Sequence, residues 1–278
     1  MFTSFVPAAS HAVGPTRLRA PRAYPLIISE PGTYELVENL TVPSSDTDAI
    51  LVTASDVTID LRGFVITGPV VCSGSPTTCS PPGLGFGIYT SGAAANTTIR
   101  NGTVRGMGRD GVHIASGNIE GVRAVSNGEN GIVAERCVIR DSMASSNGLA
   151  GIVANSCVVT SNVASGNGDS GIRADAGPTI GNIAISNGNE GITSQGTPSG
   201  SAVFRDNMAF LNRGNGISAD FGVVLRNAAY ANEEFGIHGG PGVGFGFNAF
   251  IGNVLGETSA MGAHELAANL CSDDLTCP

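Results

Sequence analysis

The chain has 278 residues, 40 of them Gly, and its formal net charge is −9 because 23 acidic residues outnumber 14 basic ones. Every basic residue is Arg, which excludes mechanisms that need a lysine, such as a Schiff base or a phosphate-loop lysine. Scattered Arg in an acidic chain argues against nucleic acid as a partner. A hydrophobic share of 41% argues against disorder, and no apolar run is long enough to predict a membrane span.

Residues 1–23 are expected to cap the N-terminal end of a single domain. The first 16 residues lack the basic start and the long apolar middle of a signal peptide, although Ser10, His11 and Ala12 would suit the end of one. A signal peptide is therefore expected to be absent or already trimmed.

Short runs that alternate apolar and polar residues follow at 28–42, 50–69 and 87–106. A period of two is typical of β-strands, and Gly and Asn punctuate the runs at predicted turns. These segments predict the first strands of an all-β domain.

Two cysteine pairs are each separated by a short polar stretch. Cys72 and Cys79 bracket CSGSPTTC, and Cys271 and Cys277 bracket CSDDLTC at the C-terminus. Neither pair has the spacing of a zinc site or a redox motif, so both are predicted to form local disulfides. Such disulfides imply an oxidising compartment, which favours a secreted or periplasmic protein.

From residue 108 to residue 253 the sequence repeats every 20 residues, with a five-residue insertion near residues 196–200. The fourth position of each copy is Gly, the fifth is Val or Ile, the seventeenth is Ala and the last is Asn. The fifth-position column is Val112, Ile132, Ile152, Ile172, Ile192, Ile217 and Ile237. The Ala column runs from Ala124 to Ala249, and the Asn column is Asn127, Asn147, Asn167, Asn187, Asn212, Asn232 and, one residue late, Asn253.

About 20 residues with three short strands make one coil of a parallel β-helix, in which equivalent residues stack about 4.8 Å apart. The Ile and Ala columns are predicted to fill the interior, and the Asn column to form a ladder of amides. We expect about ten coils over residues 24–253 and a C-terminal cap over residues 254–278. Cys137 and Cys157 occupy one column in adjacent coils, and they are predicted to remain reduced as a buried thiol stack, with a disulfide or a metal pair as the alternative.

Several segments resemble right-handed parallel β-helix repeat proteins of the pectate-lyase-like superfamily, which includes mannuronan epimerases and NosD-type proteins. They are SEPGTYEL (29–36), DVTIDLRG (56–63), TIRNGTVRG (98–106) and the Gly-Ile coils. The resemblance implies a right-handed coil and a substrate groove along the strand that follows Gly-Ile. The epimerase motif Asp-Pro-His does not follow Gly-Ile here, where Arg173 and Asp175 stand in GIRAD.

Alternation after Gly-Ile places the next residue, and the residue two further on, outside the coil. We predict a site there, with Arg173, Asp175 and His113 as candidate catalytic residues. The candidate substrate-binding residues are Glu135, Asp220 and His238. Arg173 could hold a substrate carboxylate through a bidentate contact.

Two functions remain open from the sequence. The favoured one is an exported, non-catalytic module that binds a polysaccharide, a cell-surface glycan or a protein, or that is structural. The alternative is a lyase or C5-epimerase acting on acidic polysaccharide. No motif indicates a cofactor, although a calcium ion bridged by an acidic substrate would be compatible with the carboxylates.

Overall fold

The computed structural model describes residues 14–92, 94–195, 202–260 and 262–271. The described chain is a β-solenoid of about twelve turns, in which each turn crosses three parallel sheets in the same order. Its strands pair in parallel with equivalent residues of the turns above and below. The predicted parallel β-helix with three strands per coil is confirmed, with about two turns more than expected.

Most strands belong to one sheet only. Those that lie only in the first sheet are Leu26–Ile28, Ile50–Val52, Ile88–Thr90, Val112–Ile114, Ile132–Glu135, Ile152–Asn155, Ile172–Asp175, Ile192–Ser194 and Gly256–Ala260. The strands of the second sheet alone are Thr16–Leu18, Gly32–Leu36, Val57–Asp60, Cys137–Arg140, Val158–Thr160, Gly177–Ile180, Ala202–Arg205 and His264–Glu265. The strands of the third sheet alone are Leu40–Thr41, Val65–Thr67, Met143–Ser145, Val163–Ser165, Ile183–Ile185, Met208–Phe210, Ala228–Tyr230, Ala249–Ile251 and Leu270–Cys271.

Four longer strands turn a corner and belong to two sheets. Ile217–Leu225 and Phe235–Gly246 run from the first sheet into the second, and Thr97–Arg105 and Gly117–Val125 run from the second into the third. The stack thus includes Thr16–Leu18 and strands after residue 253, so it extends beyond the predicted limits of residues 24–253. The role of the terminal segments as caps stays a prediction.

The interior is built from the columns that the repeat predicts. The side chains of Ile132, Ile152, Ile172, Ile192 and Ile217 are all 0% exposed. Gly precedes each of them because the turns approach closely there: a Cβ on Gly151 would lie 2.6 Å from the carbonyl oxygen of Gly171. The buried Ile column and the invariant Gly column therefore have one cause, the tight stacking of turns.

The Ala column differs from the prediction at its last member. Ala229 pairs with Phe250, which is fully buried, whereas Ala249 pairs with the outward-facing Ala228. The cause is a register shift between Ala219 and Phe221, after which the offset between turns becomes 21 residues. A large ring thus replaces the small Ala side chain in this turn.

The Asn column forms the predicted ladder. From Asn127 to Asn232, each side-chain Nδ2 donates to the Oδ1 of the Asn one turn further on, with Asn147 to Asn167 and Asn167 to Asn187 both at 2.9 Å. A second, unpredicted ladder lies at the corner between the second and third sheets. It consists of Asn162, Asn182, Asn207, Asn227, Asn248 and Asn269.

The structure contains two disulfides in the described residues, one predicted and one not. Cys72 pairs with Cys79 as expected. Cys137 and Cys157 are also joined, so the prediction that both remain reduced is wrong. Stacking in adjacent turns brings their Cα atoms to 4.5 Å, within the usual reach of a disulfide. Cys277, the predicted partner of Cys271, lies outside the described residues.

Residues Val71–Ser73 and Thr78–Ser80 form an antiparallel hairpin that is closed by the Cys72–Cys79 bond. The hairpin lies along the turns that follow the third sheet, where the Thr77 hydroxyl donates to the carbonyl oxygen of Gly166 at 2.6 Å. Among the described residues, no helix is long and apolar enough to cross a membrane.

Candidate functional site

The outward face of the first sheet carries the residues that the sequence singles out. One column on this face, the outward column, is formed by the residues that follow the buried Ile side chains. Its members from the fourth strand of the sheet onward are His113, Val133, Val153, Arg173, Thr193, Ser218 and His238. The stacking places their Cα atoms about 4.8 Å apart along the solenoid axis.

A cleft of about 730 Å³ opens over the last four positions of this column. We call it the first-sheet cleft, and its titratable walls are Arg173, Glu190, Asp220, Glu234 and His238. From Arg173 to His238 the column spans three turn spacings, or about 14 Å. The structure thus brings together three of the six predicted site residues, namely Arg173, Asp220 and His238.

The floor of the first-sheet cleft is polar although it is nearly buried. Thr193 is 7% exposed and Asn215 is 6% exposed. The Oδ1 of Asn215 accepts a hydrogen bond from the backbone N–H of Phe235 at 3.1 Å. Its Nδ2 group and the Thr193 hydroxyl have no hydrogen-bond partner in the part of the chain that the structure describes, so both remain available to a ligand.

Arg173 stands at one end of the cleft with donors to spare. Its Nη2 donates to the Asp169 carboxylate at 2.9 Å. The buried Nε has no partner among the described residues. Asp175, on the same strand, accepts a hydrogen bond from the backbone N–H of Gln195 at 2.7 Å. Because Gln195 lines the cleft, Asp175 supports the cleft wall rather than lining it.

The carboxylates of the cleft outnumber its cations. The Oε2 of Glu190 accepts a hydrogen bond from the Ser170 hydroxyl at 3.3 Å. The side chains of Asp220 and Glu234 have no partner within the described ranges. The Arg173 charge is already balanced by Asp169, so the cleft presents three carboxylates without a compensating cation.

Two predicted residues lie outside the cleft. Glu135 pairs with Arg136 at 3.3 Å, two turns from Arg173, and does not line the cleft wall. His113 lies three turns from Arg173 in the outward column. The hairpin at residues 71–80 contributes nothing to the cleft wall, and the insertion at residues 196–200 lies outside the described residues.

His113 belongs to a separate cluster near the start of the repeat. Its Nδ1 lies 2.9 Å from the Oδ2 of Asp110, whose side chain is only 3% exposed. The other oxygen of Asp110 accepts two hydrogen bonds from Asn130, so the carboxylate is fixed. The rings of Phe86 and Tyr89 lie edge-on to the imidazole, with centroids at 5.5 and 5.6 Å. The cluster holds the imidazole of His113 in one orientation.

A second concave surface of about 750 Å³ follows the corner between the first and second sheets. Its lining includes the disulfide-bonded Cys137 and Cys157 together with Val138, Val158 and Pro178. The exposed surface of its lining is mostly apolar, although Asn96, Asn118 and Arg136 also border it. In the described part of the chain, no group of three or more His, Cys, Asp or Glu side chains could hold a metal ion, and a calcium site stays a prediction.

The loops that lead into the strands of the first sheet also contribute residues to the site, and these residues were not predicted from the sequence. Glu190 and Asn215 directly precede the Gly-Ile pairs of their turns, and Glu234 lies two residues before Gly236. The strand pattern alone does not show that these loops border the same face of the first sheet as the outward column. A polar residue at the third position of successive copies, such as Asp110, would have been the available signal.

No protein-family model matches the chain, and no curated protein is similar to it in sequence. Its fold resembles that of the A-module of the mannuronan C-5 epimerase AlgE4 from Azotobacter vinelandii, with 17% identity over 87% of each chain and a TM-score of 0.60. The periplasmic alginate epimerase AlgG is similar with 15% identity over 89% of this chain and 76% of that one, at a TM-score of 0.55.

The Dettilon tailspike protein gp208 is also similar in fold, with 14% identity and a TM-score of 0.59. The alignment covers 93% of this chain and 60% of the tailspike. These likenesses confirm the predicted parallel β-helix fold. At such low identity they establish the fold and not the function.

Proposed function

We propose that the protein is an exported glycan-binding β-helix and that the first-sheet cleft is its binding site. The observation that carries the proposal is the cleft itself, which extends about 14 Å along the solenoid axis and is polar on its floor and walls. Sugar hydroxyls both donate and accept hydrogen bonds, which suits a mixture of amide, hydroxyl and carboxylate groups.

Export is part of the proposal. Two disulfides in the described residues support it because such bonds persist in oxidising compartments. The structural neighbours include a mannuronan epimerase and an alginate epimerase, and the second of these is a periplasmic protein. They support a carbohydrate-related role for this fold.

A steric block tests the binding site. Ser218 lies in the middle of the cleft, and Ser218→Trp should fill it and abolish retention of the protein on polysaccharide-containing native gels. Val133→Trp places the same ring in the same outward column but outside the cleft, so it should bind like the wild type. Equal binding by both variants would place the site elsewhere.

A carbohydrate lyase or epimerase is a second candidate function, and the Asp110–His113 pair favours it. A buried carboxylate that fixes one imidazole nitrogen leaves the other available to remove a proton. A screen of acidic polysaccharides for the ultraviolet absorbance of an unsaturated product, with and without calcium, tests for a lyase. Exchange of the C5 proton into deuterated water, followed by NMR, tests for an epimerase. His113→Gln should abolish either signal.

A further inference from the structure

We infer that the first-sheet cleft takes a neutral, hydroxyl-rich glycan and discriminates against polyuronates. The inference rests on the proposed function and names its ligand class. It differs from the acidic polysaccharide that the sequence suggested for an enzyme, and it is argued from the charges that the structure places in the cleft.

The first step concerns the unpaired acceptors. Asp220 and Glu234 line the cleft and have no hydrogen-bond partner among the described residues. A carboxylate accepts hydrogen bonds and cannot donate them, so it requires a donor from the ligand. Sugar hydroxyls supply such donors, and hydrogen bonds to a charged acceptor are about twice as strong as neutral ones. A uronate carboxylate supplies none.

The second step concerns charge. A uronate in the cleft would lie within about 14 Å of Glu190, Asp220 and Glu234, in a chain whose net charge is already −9. Like charges at these distances repel, most strongly at low ionic strength. The only guanidinium in the described lining is that of Arg173, and its charge is balanced by Asp169 at 2.9 Å.

The third step concerns the floor. Thr193 and Asn215 are more than nine-tenths buried, yet the Thr193 hydroxyl and the Nδ2 of Asn215 lack partners in the described residues. A donor on the floor of a cleft that has no partner in the protein bonds to water or to a ligand. These two groups supply donors for ring and hydroxyl oxygens, which a neutral sugar carries around its whole ring.

The experiment compares three soluble polymers: a neutral mixed-linkage glucan, sodium alginate and chitosan oligosaccharide. Affinity is measured by titration calorimetry at about 50 mM and about 500 mM NaCl, where the screening lengths differ about threefold. We expect the wild type to bind the glucan with little salt dependence and to bind alginate at least about tenfold more weakly at low salt.

The double variant Glu190→Gln/Glu234→Gln keeps the shape of the cleft and removes two negative charges. It should bind the glucan about five- to tenfold more weakly, because charge-assisted hydrogen bonds become neutral ones, and it should bind alginate more tightly. Glu135→Gln is the matched control, since it removes a carboxylate of the same sheet outside the cleft. It should change neither affinity by more than about twofold.

The outcomes separate the two claims. The wild type could bind alginate or chitosan more tightly than the glucan and lose that binding in Ser218→Trp. In that case the cleft binds glycans, but the neutral ligand class is wrong. Weaker alginate binding by the double variant would also overturn the inference. If none of the polymers binds, or if Ser218→Trp leaves their binding unchanged, the proposed function fails and the inference fails with it.

Discussion

A side chain inside this solenoid packs against its own equivalents in the neighbouring turns, so the repeat determines how much each residue contributes. Ile172 lies between Ile152 and Ile192 and is fully buried. Asn187 is similarly placed, since its amide donates to Asn212 and to the carbonyl oxygen of Ala164 while its Oδ1 accepts from Asn167. Each of these side chains therefore depends on an equivalent residue in both neighbouring turns.

Replacing Ile172 by Ala should therefore lower the free energy of unfolding by about 2–5 kcal/mol, because a cavity opens between rigidly stacked turns. Val153→Ala is the matched control on the outward face of the neighbouring strand, and it should cost less than about 1 kcal/mol. Urea unfolding followed by far-ultraviolet circular dichroism measures both. Equal losses in the two variants would contradict the inward placement of the Ile column.

At the scale of the element, the corners between sheets hold most of what the sequence did not reveal. The last Asn of each copy is invariant and was readily predicted to form a ladder. The second ladder begins only at Asn162, where earlier copies carry Ser142 and Val122, so its column is incomplete within the repeat. The oxidation state of Cys137 and Cys157 depends on the distance between turns, which the column pattern does not give.

The disulfide between adjacent turns should stabilise the solenoid. Its two cysteines are 20 residues apart, so removing the link should cost about 3 kcal/mol by loop-closure entropy. We expect Cys137→Ala/Cys157→Ala to lower the melting temperature more than Cys72→Ala/Cys79→Ala, whose loop closes over only 7 residues. Differential scanning calorimetry gives the comparison.

Alkylation of the unfolded protein without reductant provides an independent check. Mass spectrometry of the tryptic fragments should show no label on Cys137 or Cys157. Labelling of both residues would show that they are reduced, and it would remove the expected difference in melting temperature.

At the scale of the molecule, the fold follows from the repeat, whereas the cleft follows from departures from it. Columns that are constant, such as Gly-Ile and Asn, specify the stacking and could be recognised in the sequence. The cleft is formed where the columns vary. The first-sheet strands contribute Arg173, Asp220 and His238, and the loops that lead into these strands contribute Glu190 and Glu234. Strand alternation predicted that Arg173, Asp220 and His238 face outward, whereas no strand pattern covers the loop residues Glu190 and Glu234 that line the same cleft.

The same architecture predicts a gradient of stability along the molecule. Each turn contacts only its neighbours, so a central turn is held on two sides and a terminal turn on one. The strands near the C-terminal end are short, with His264–Glu265 and Leu270–Cys271 only two residues each. The central turns instead combine both Asn ladders with the fully buried Ile column.

Hydrogen–deuterium exchange followed by mass spectrometry should therefore show the slowest exchange in peptides from about residue 130 to residue 230. Peptides from residues 256–271 should exchange at least about a hundredfold faster, because local opening at an end breaks one inter-turn interface rather than two. Ile172→Ala should accelerate exchange in the turns on either side of Ile172 while leaving the end peptides unchanged. Uniform exchange rates along the chain would instead mean that all turns unfold in a single cooperative step, and that nearest-neighbour stacking does not describe how this solenoid opens.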